Sequence, residues 1–167
     1  MLKSLSSRLE GERIRTEVID RPRLREVLDY WNLLRGDKPM PPREAFNPIE
    51  VKRSLGLISI AEILPGGEAF RYVLYGSELA RVQDHDFTGK LVSELPPPEF
   101  GRFVQSHLRE VVAEGGPTAY RIRVTSDRMS IDYWRVLLPF CDETGKLNEI
   151  MSVCDLDREF WTAVSAA

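Results

Sequence analysis

Cysteine is nearly absent from this 167-residue chain, which holds only Cys141 and Cys154. Two are too few for a disulfide framework, and they lack the C-x-x-C spacing of zinc or redox sites. They flank Asp142-Glu143-Thr144-Gly145-Lys146, which reads as a hairpin connection. With strands paired around that turn, Cys154 falls opposite about Tyr133, roughly 27 Å along the sheet from Cys141 at the strand rise. A disulfide spans a Cα separation of only about 7 Å, so two free thiols are expected. Histidine is equally scarce, with His85 and His107 alone. No apolar run approaches the ~20 residues of a membrane span. The stretch Met1 to Arg25 is polar and lacks the apolar core of a secretory signal. A basic excess is missing too: 23 lysines and arginines face 26 acids, a net charge of −3, which argues against a nucleic-acid footprint. There is no internal repeat, no G-x-x-x-x-G-K-[ST], no G-x-S-x-G, no H-E-x-x-H and no G-x-G-x-x-G after a strand, so the familiar nucleotide, hydrolase and metalloprotease signatures are excluded.

What remains is 43% hydrophobic and 29% charged, the composition of an ordinary globular domain, and a cytoplasmic setting is expected. At 19.1 kDa such a chain buries about 70% of its unfolded surface, enough for one core with a terminal extension and too little for two full domains. Residues 1–20 mix acids and arginines and read as a charged extension of uncertain order. Leu24, Val27, Leu28, Trp31 and Leu34 recur at helical spacing, predicting an amphipathic helix over 22–35 with Asp20 as its cap and Pro22 in its first turn, stopped by Gly36. The prolines of Lys38-Pro39-Met40-Pro41-Pro42 make an extended linker. Asn47-Pro48-Ile49-Glu50 carries a cap residue, a proline at the first helical position and a following glutamate, opening a short helix to about Leu55.

Strands follow over 56–64 and 68–76, with Phe70, Tyr72 and Leu74 on one face of the second and Val73 and Tyr75 on the other. Ser77 opens a short helix through Gln83, and a second helical piece lies near Leu91–Leu95. A longer helix spans 98–114, with Phe100, Phe103, Val104, His107, Leu108 and Val111 on one face and Gly115-Gly116-Pro117 as its stop. Three strands, 118–125, 130–140 and 147–155, complete the domain. Their apolar residues fall on both faces, so the sheet needs cover on both sides. The middle helices serve one; helix 22–35 or a second copy of the chain must serve the other.

Candidate chemistry is sparse. Asp84-His85-Asp86 offers metal-ligand types, but no second histidine or cysteine stands near, and a solvated loop is the better reading. Asp86-Phe87-Thr88-Gly89 lacks the Asp-Thr-Gly adjacency of aspartic proteases; Asp86 or Thr88 reads as a cap. His107 lies on the apolar side of the long helix, where a core histidine, a polar contact to an organic ligand, or the acid–base group of a small enzyme are the open readings. Tyr30 and Trp31 either cover the sheet or anchor a partner. The arginines at 13, 15, 21, 23 and 25 are interspersed with acids and read as a solvated charged face rather than a surface for acidic partners or lipid.

Two strands, a cluster of short helices, a longer helix and a three-stranded meander resemble a PAS domain. Tyr30-Trp31 with Leu34-Arg35, Pro39 through Arg43 and Asn47-Pro48, Phe70-Arg71-Tyr72, Leu74-Tyr75-Gly76-Ser77, Asp86-Phe87-Thr88-Gly89-Lys90 and Leu137-Leu138-Pro139-Phe140 resemble the bacterial PAS_5 family of stand-alone PAS proteins. The resemblance implies an α+β fold with a five-stranded antiparallel sheet in the order 2-1-5-4-3 over 46–160, helices on one face, and an N-terminal extension with helix over 1–45. It implies a non-catalytic sensory module that binds a small organic ligand, a signalling protein, or both; a pure interaction adaptor with a closed core is the alternative. By face and element, Tyr72, Leu74, Phe103, His107, Ile122 and Tyr133 are the expected pocket residues. Leu24, Val27, Tyr30, Trp31 and Leu34 form the expected homodimer or partner surface, since PAS domains commonly pair through an N-terminal helix. No cofactor is assigned: certain PAS sensors hold haem through a histidine on the helix carrying His107, the less favoured reading here, and the flavin-linked cysteine of light sensors has no counterpart between Ser77 and Pro117.

Overall fold

The computed structural model describes residues 8–125 and 130–166, so residues 1–7 of the expected extension lie outside the described residues. One antiparallel sheet organises the chain. Its strands are β1 (Arg8–Ile14), β2 (Ile58–Ile63), β3 (Phe70–Tyr75), β4 (Thr118–Thr125), β5 (Ser130–Cys141) and β6 (Leu147–Asp155), in the order β1-β4-β5-β6-β2-β3. The helices are α1 (Pro22–Arg35), α2 (Ser77–Gln83), α3 (Pro98–Glu114) and α4 (Arg158–Ala166), with a 3-10 stretch over Pro48–Leu57. Five of the six strands hold the expected order. The sixth, β1, is a correction to the reading of residues 1–20 as a loose extension. It pairs along β4 from Arg8↔Thr125 to Ile14↔Ala119. Hydrophobic periodicity could not reveal it, because five of its seven residues are exposed and it is held by backbone pairing and charge. Arg13 reaches α3, at 3.0 Å from Glu110 and 2.8 Å from Glu114.

Helix boundaries follow local chemistry. Pro22 and Pro98 each open a helix where a backbone N–H would have no partner. Gly115 ends α3 at φ 70°, a left-handed conformation that costs a glycine nothing, and its N–H closes on the Val111 carbonyl at 2.8 Å. The expected caps Asp20 and Ser77 do not act as such: Arg21 and Gly76 occupy the cap positions and neither makes a side-chain cap bond. Asn47 does, accepting from Ile49 N–H at 3.1 Å.

Strand alternation splits the core into two layers. Tyr120, Ile122, Tyr133, Leu137 and Ile150 face one way and meet α2, α3 and α4 through Val82, Val104, Leu108 and Phe160. Val136, Leu138, Phe140, Met151 and Val153 face the other way, onto α1 and Val51 of the 3-10 stretch. Leu24, Val27 and Trp31 are therefore consumed within the chain, and Trp31 Nε1 donates to the Pro139 carbonyl at 2.9 Å. Tyr30 and Leu34 are half-buried, Tyr30 packing on Phe46 and accepting a hydrogen bond from Asn47 N–H. The stripe expected as a dimer or partner surface covers the outer sheet face together with the 3-10 stretch, because that apolar face needs burial.

Of the arginines at 13, 15, 21, 23 and 25, Arg15 is exposed and the other four are engaged internally. Arg21 bonds Asp155 at 2.8 Å and reaches Asp157 at 3.4 Å, Arg23 lies 3.5 Å from Asp155, and Arg25 donates to the Thr16, Glu17 and Ile19 carbonyls. Both thiols are free and buried, with Cys154 opposite Arg135 rather than Tyr133.

Truncating Trp31 to alanine removes a side chain only 2% exposed and a buried hydrogen bond, and should cost about 3–5 kcal/mol. Leu33→Ala, at a residue 77% exposed, should stay within about 0.5 kcal/mol. Urea unfolding of both variants checks the pair; equal, small losses would mean that α1 does not seal the sheet.

Candidate functional site

A cavity of about 60 Å³ lies between the inner sheet face and the helices. Its floor comes from five strands: Ser59 of β2, Tyr72 and Tyr75 of β3, Val124 of β4, Tyr133 and Arg135 of β5, Ser152 and Cys154 of β6. Gln83 at the end of α2 and Phe100 and Val104 of α3 form its walls, and Phe160 of α4 closes it. The volume has room for about four water-sized groups.

A bulge decides which side chains of β3 reach it. Tyr72 pairs with Ala61 and Leu74 with Ile60, so two steps along β3 match one along β2. The extra residue, Val73, inverts the alternation beyond it. Tyr72 and Tyr75 both face inward, their rings 4.9 Å apart, and Leu74 is turned out to 40% exposure. The expected pocket role of Leu74 is thereby corrected, and Tyr75 takes its place.

Of the other expected residues, Tyr72 and Tyr133 line the cavity. Ile122 is fully buried in the same layer without reaching the cavity wall. Phe103 and His107 stand one layer behind it. The His107 ring stacks on Tyr120 at 3.7 Å with 9° between planes, and Phe103 meets its edge at 4.5 Å. Gly11 of β1 passes directly over this group: a Cβ there would come within 2.9 Å of His107 Nε2 and 3.1 Å of Phe103.

Arg135 links that cluster to the cavity. Its Nη2 donates to His107 Nδ1, and its guanidinium lies 5.9 Å from the Phe103 ring centre. Burial, reinforced by the charges of Arg135 and Arg13, pushes the His107 pKa down to about 2. The ring is therefore neutral, accepts at Nδ1 and carries its proton on Nε2. That bonding, with Tyr120 and Phe103 against the ring, accounts for His107 as a core histidine that positions an arginine. Burial also pushes the Tyr72, Tyr75 and Tyr133 hydroxyls upward and the Cys154 thiol up to about 11. All four are neutral at physiological pH.

Arg135 and Gln83 were not among the expected site residues. A parity signal existed for the first: Arg135 is two residues beyond Tyr133, so it shares the inward face, and a charge on that face of an apolar strand is unusual. Gln83 carried no such signal. Elsewhere, Asp86 accepts from Thr88 N–H and its hydroxyl in a turn, and His85 packs edge-on against Phe87. Among the described residues no three histidine, cysteine, aspartate or glutamate side chains gather as a metal site requires, and no helix is long and apolar enough to cross a membrane.

A six-stranded antiparallel sheet with a helical bundle over a small cavity matches known proteins. The family model PAS_5, a PAS domain, matches residues 19–154. The chain belongs to this family. PAS domains are sensory and signalling modules, generally without catalysis of their own, and they commonly mediate interactions. Solved structures similar to this PAS_5 domain include the PAS domain of BvgS from Bordetella pertussis, at a TM-score of 0.50 and 17% identity over 83% of this chain and 92% of that one. An RNA-binding light-oxygen-voltage receptor matches at a TM-score of 0.50 and 14% identity, over 96% of this chain and 42% of that one. At such identities the likeness is one of fold alone. No curated protein matches significantly.

The neutral state of His107 has a pH signature. Its folded pKa lies below the ordinary 6.5, so the unfolded chain takes up the proton first. Stability from this site is complete above pH 6.5 and declines as pH falls toward 2, by up to about 1.4 kcal/mol per pH unit. Between pH 7 and pH 5 the native protein should lose about 2 kcal/mol more than His107→Gln, in urea unfolding at both pH values. Parallel losses in the two proteins would show that His107 is not held neutral by its surroundings.

Proposed function

We propose that this PAS domain is a non-catalytic sensor whose input is a small organic molecule held in the cavity between the sheet and α2, α3 and α4, and whose output is contact with another signalling protein. The observation that carries this reading is the polar lining of an otherwise apolar core. Ser59 and Ser152 face each other across β2 and β6 on the inner face, and the Gln83 amide oxygen is buried there with no partner. Buried polar atoms without partners cost free energy, so the meeting of two of them at one void, Gln83 Oε1 and Arg135 Nε, favours a ligand that satisfies them over a packing defect.

A route outward exists. Phe160, which closes the cavity, sits in the first turn of α4, and Asp157 caps that turn by accepting from Phe160 N–H at 2.9 Å. Asp157 and its neighbour Asp155 hold Arg21 at the start of α1. A ligand large enough to move Phe160 shifts α4, and the Asp157–Arg21 contact carries that shift to the helix on the opposite face. The signal is then an equilibrium between two packings that the ligand binds unequally. The two buried free thiols suit a reducing compartment, consistent with action in the cytoplasm. A homodimer would have to pair through a surface other than the buried α1 stripe.

Native mass spectrometry of freshly purified protein, beside the same sample denatured, should show an added small mass that denaturation removes. Ser152→Val, which fills part of the cavity, should lose that mass and gain up to about 1 kcal/mol of stability from the filled void. Native protein that carries no added mass, and that takes up none from a small-molecule panel, would overturn the sensor reading in favour of an adaptor with a closed core. The same spectrum counts subunits.

A further inference from the structure

Arg135 is 3% exposed and, among the described residues, is the only charged one lining the cavity. A guanidinium stays protonated throughout the range in which proteins fold, so its charge cannot be shed to ease burial. Buried charges are as a rule paired. Among the described residues the guanidinium makes one side-chain hydrogen bond, to His107, a neutral acceptor, and its Nε–H has no partner. Among the described residues the nearby acids are engaged elsewhere. Asp155 pairs opposite Trp134, facing the outer layer, where Arg21 and Arg23 hold it. Glu110, one turn along α3 from His107, is bonded to Arg13 and to the Tyr120 hydroxyl. The remaining titratable groups of the cavity, three tyrosines and a thiol, are neutral.

We infer that the ligand is a small organic acid whose carboxylate pairs with the Arg135 guanidinium, taking the free Nε–H, while the Gln83 amide oxygen receives a hydroxyl or amino donor from the same molecule. This rests on the sensor reading above and adds the chemical class. The cavity volume of about 60 Å³ limits the molecule to a few non-hydrogen atoms, the size of glycolate, lactate or a small amino acid, unless Phe160 moves aside. A phosphate or sulfate has the charge but no apolar part to meet Val104, Phe100 and Phe160. His107, stacked between Tyr120 and Phe103 and bonded to the guanidinium, is the positioning residue that presents Arg135 to the cavity.

The test compares acetate, glycolate, lactate and alanine with acetamide, glycolamide and lactamide at fixed ionic strength and pH 7.5, with sulfate as an inorganic control. Binding is read by thermal shift and by the Arg135 Nε–H resonance of 15N-labelled wild-type protein. Glycolate, lactate or alanine should stabilise the protein and move that resonance, and the amides should bind at least about tenfold more weakly, the ratio lost with one charge-assisted hydrogen bond. Gln83→Leu should reduce the preference for hydroxy and amino acids over acetate. Arg135→Gln should abolish the response to acids; should it fail to fold, the wild-type resonance alone decides. Amides binding as well as acids would overturn the anionic class and leave the sensor reading standing. Sulfate moving the resonance as the organic acids do would reduce the site to a general anion site and overturn the assignment. Silence from every compound, with no retained mass in the native spectrum, would overturn the inference and the sensor reading together.

Discussion

The inner half of this protein is arranged around one buried guanidinium whose companion is a neutral ring. A charge so placed is unfavourable by several kcal/mol unless something compensates it. The compensation within the chain is partial: a hydrogen bond to His107 and proximity to the Phe103 ring. Other features follow from that need. His107 stays neutral because burial and the adjacent positive charge both oppose protonation. Tyr120 and Phe103 fix the ring from face and edge, and β1 crosses above it at a glycine because a side chain there would collide with the imidazole. Glu110, the acid of α3 one turn from His107, is instead spent on Arg13 of that same strand.

The outer half obeys a simpler rule. Its sheet face is apolar, and α1 with the 3-10 stretch covers it through ordinary hydrophobic contact. The two halves therefore divide the labour: one face secures the fold, while the other holds the cavity with Arg135 and Gln83. They meet at the end of β6, where Arg21 bridges Asp155 and Asp157 between the starts of α1 and α4. This ion-paired corner, with the packing of Gly56 against Ser77 and Glu78 of α2, is a place for one face to influence the other.

Elements with strong periodicity were legible in the residues alone. Helices 22–35 and 98–114, the hairpin around Asp142 to Lys146 and the last three strands lie where spacing and turn residues place them. What escaped shares a physical cause: it depended on partners distant in sequence. Strand β1 has little apolar pattern of its own, and only β4 gives it a conformation. Helix α4 was not anticipated after Asp155, although Asp157 caps it. The bulge at Val73 turned Leu74 outward because two strands disagree by one residue, a fact that no single strand encodes. At the site, aromatic residues announced Tyr72 and Tyr133, whereas Arg135 mattered through the absence of a counter-charge, which only three dimensions can show.

Strand β1 also sets a timetable for the growing polypeptide. Its partner, β4, begins about a hundred residues later, so a ribosome working at ~5–20 residues per second leaves β1 unpaired for on the order of ten seconds. Its exposed, charge-rich sequence suits that wait, since such a segment offers neighbouring nascent chains little to aggregate with. Only once β4 and β5 have emerged can the glycine of β1 settle over His107, so the arginine's chamber closes after its own strand is made and not before.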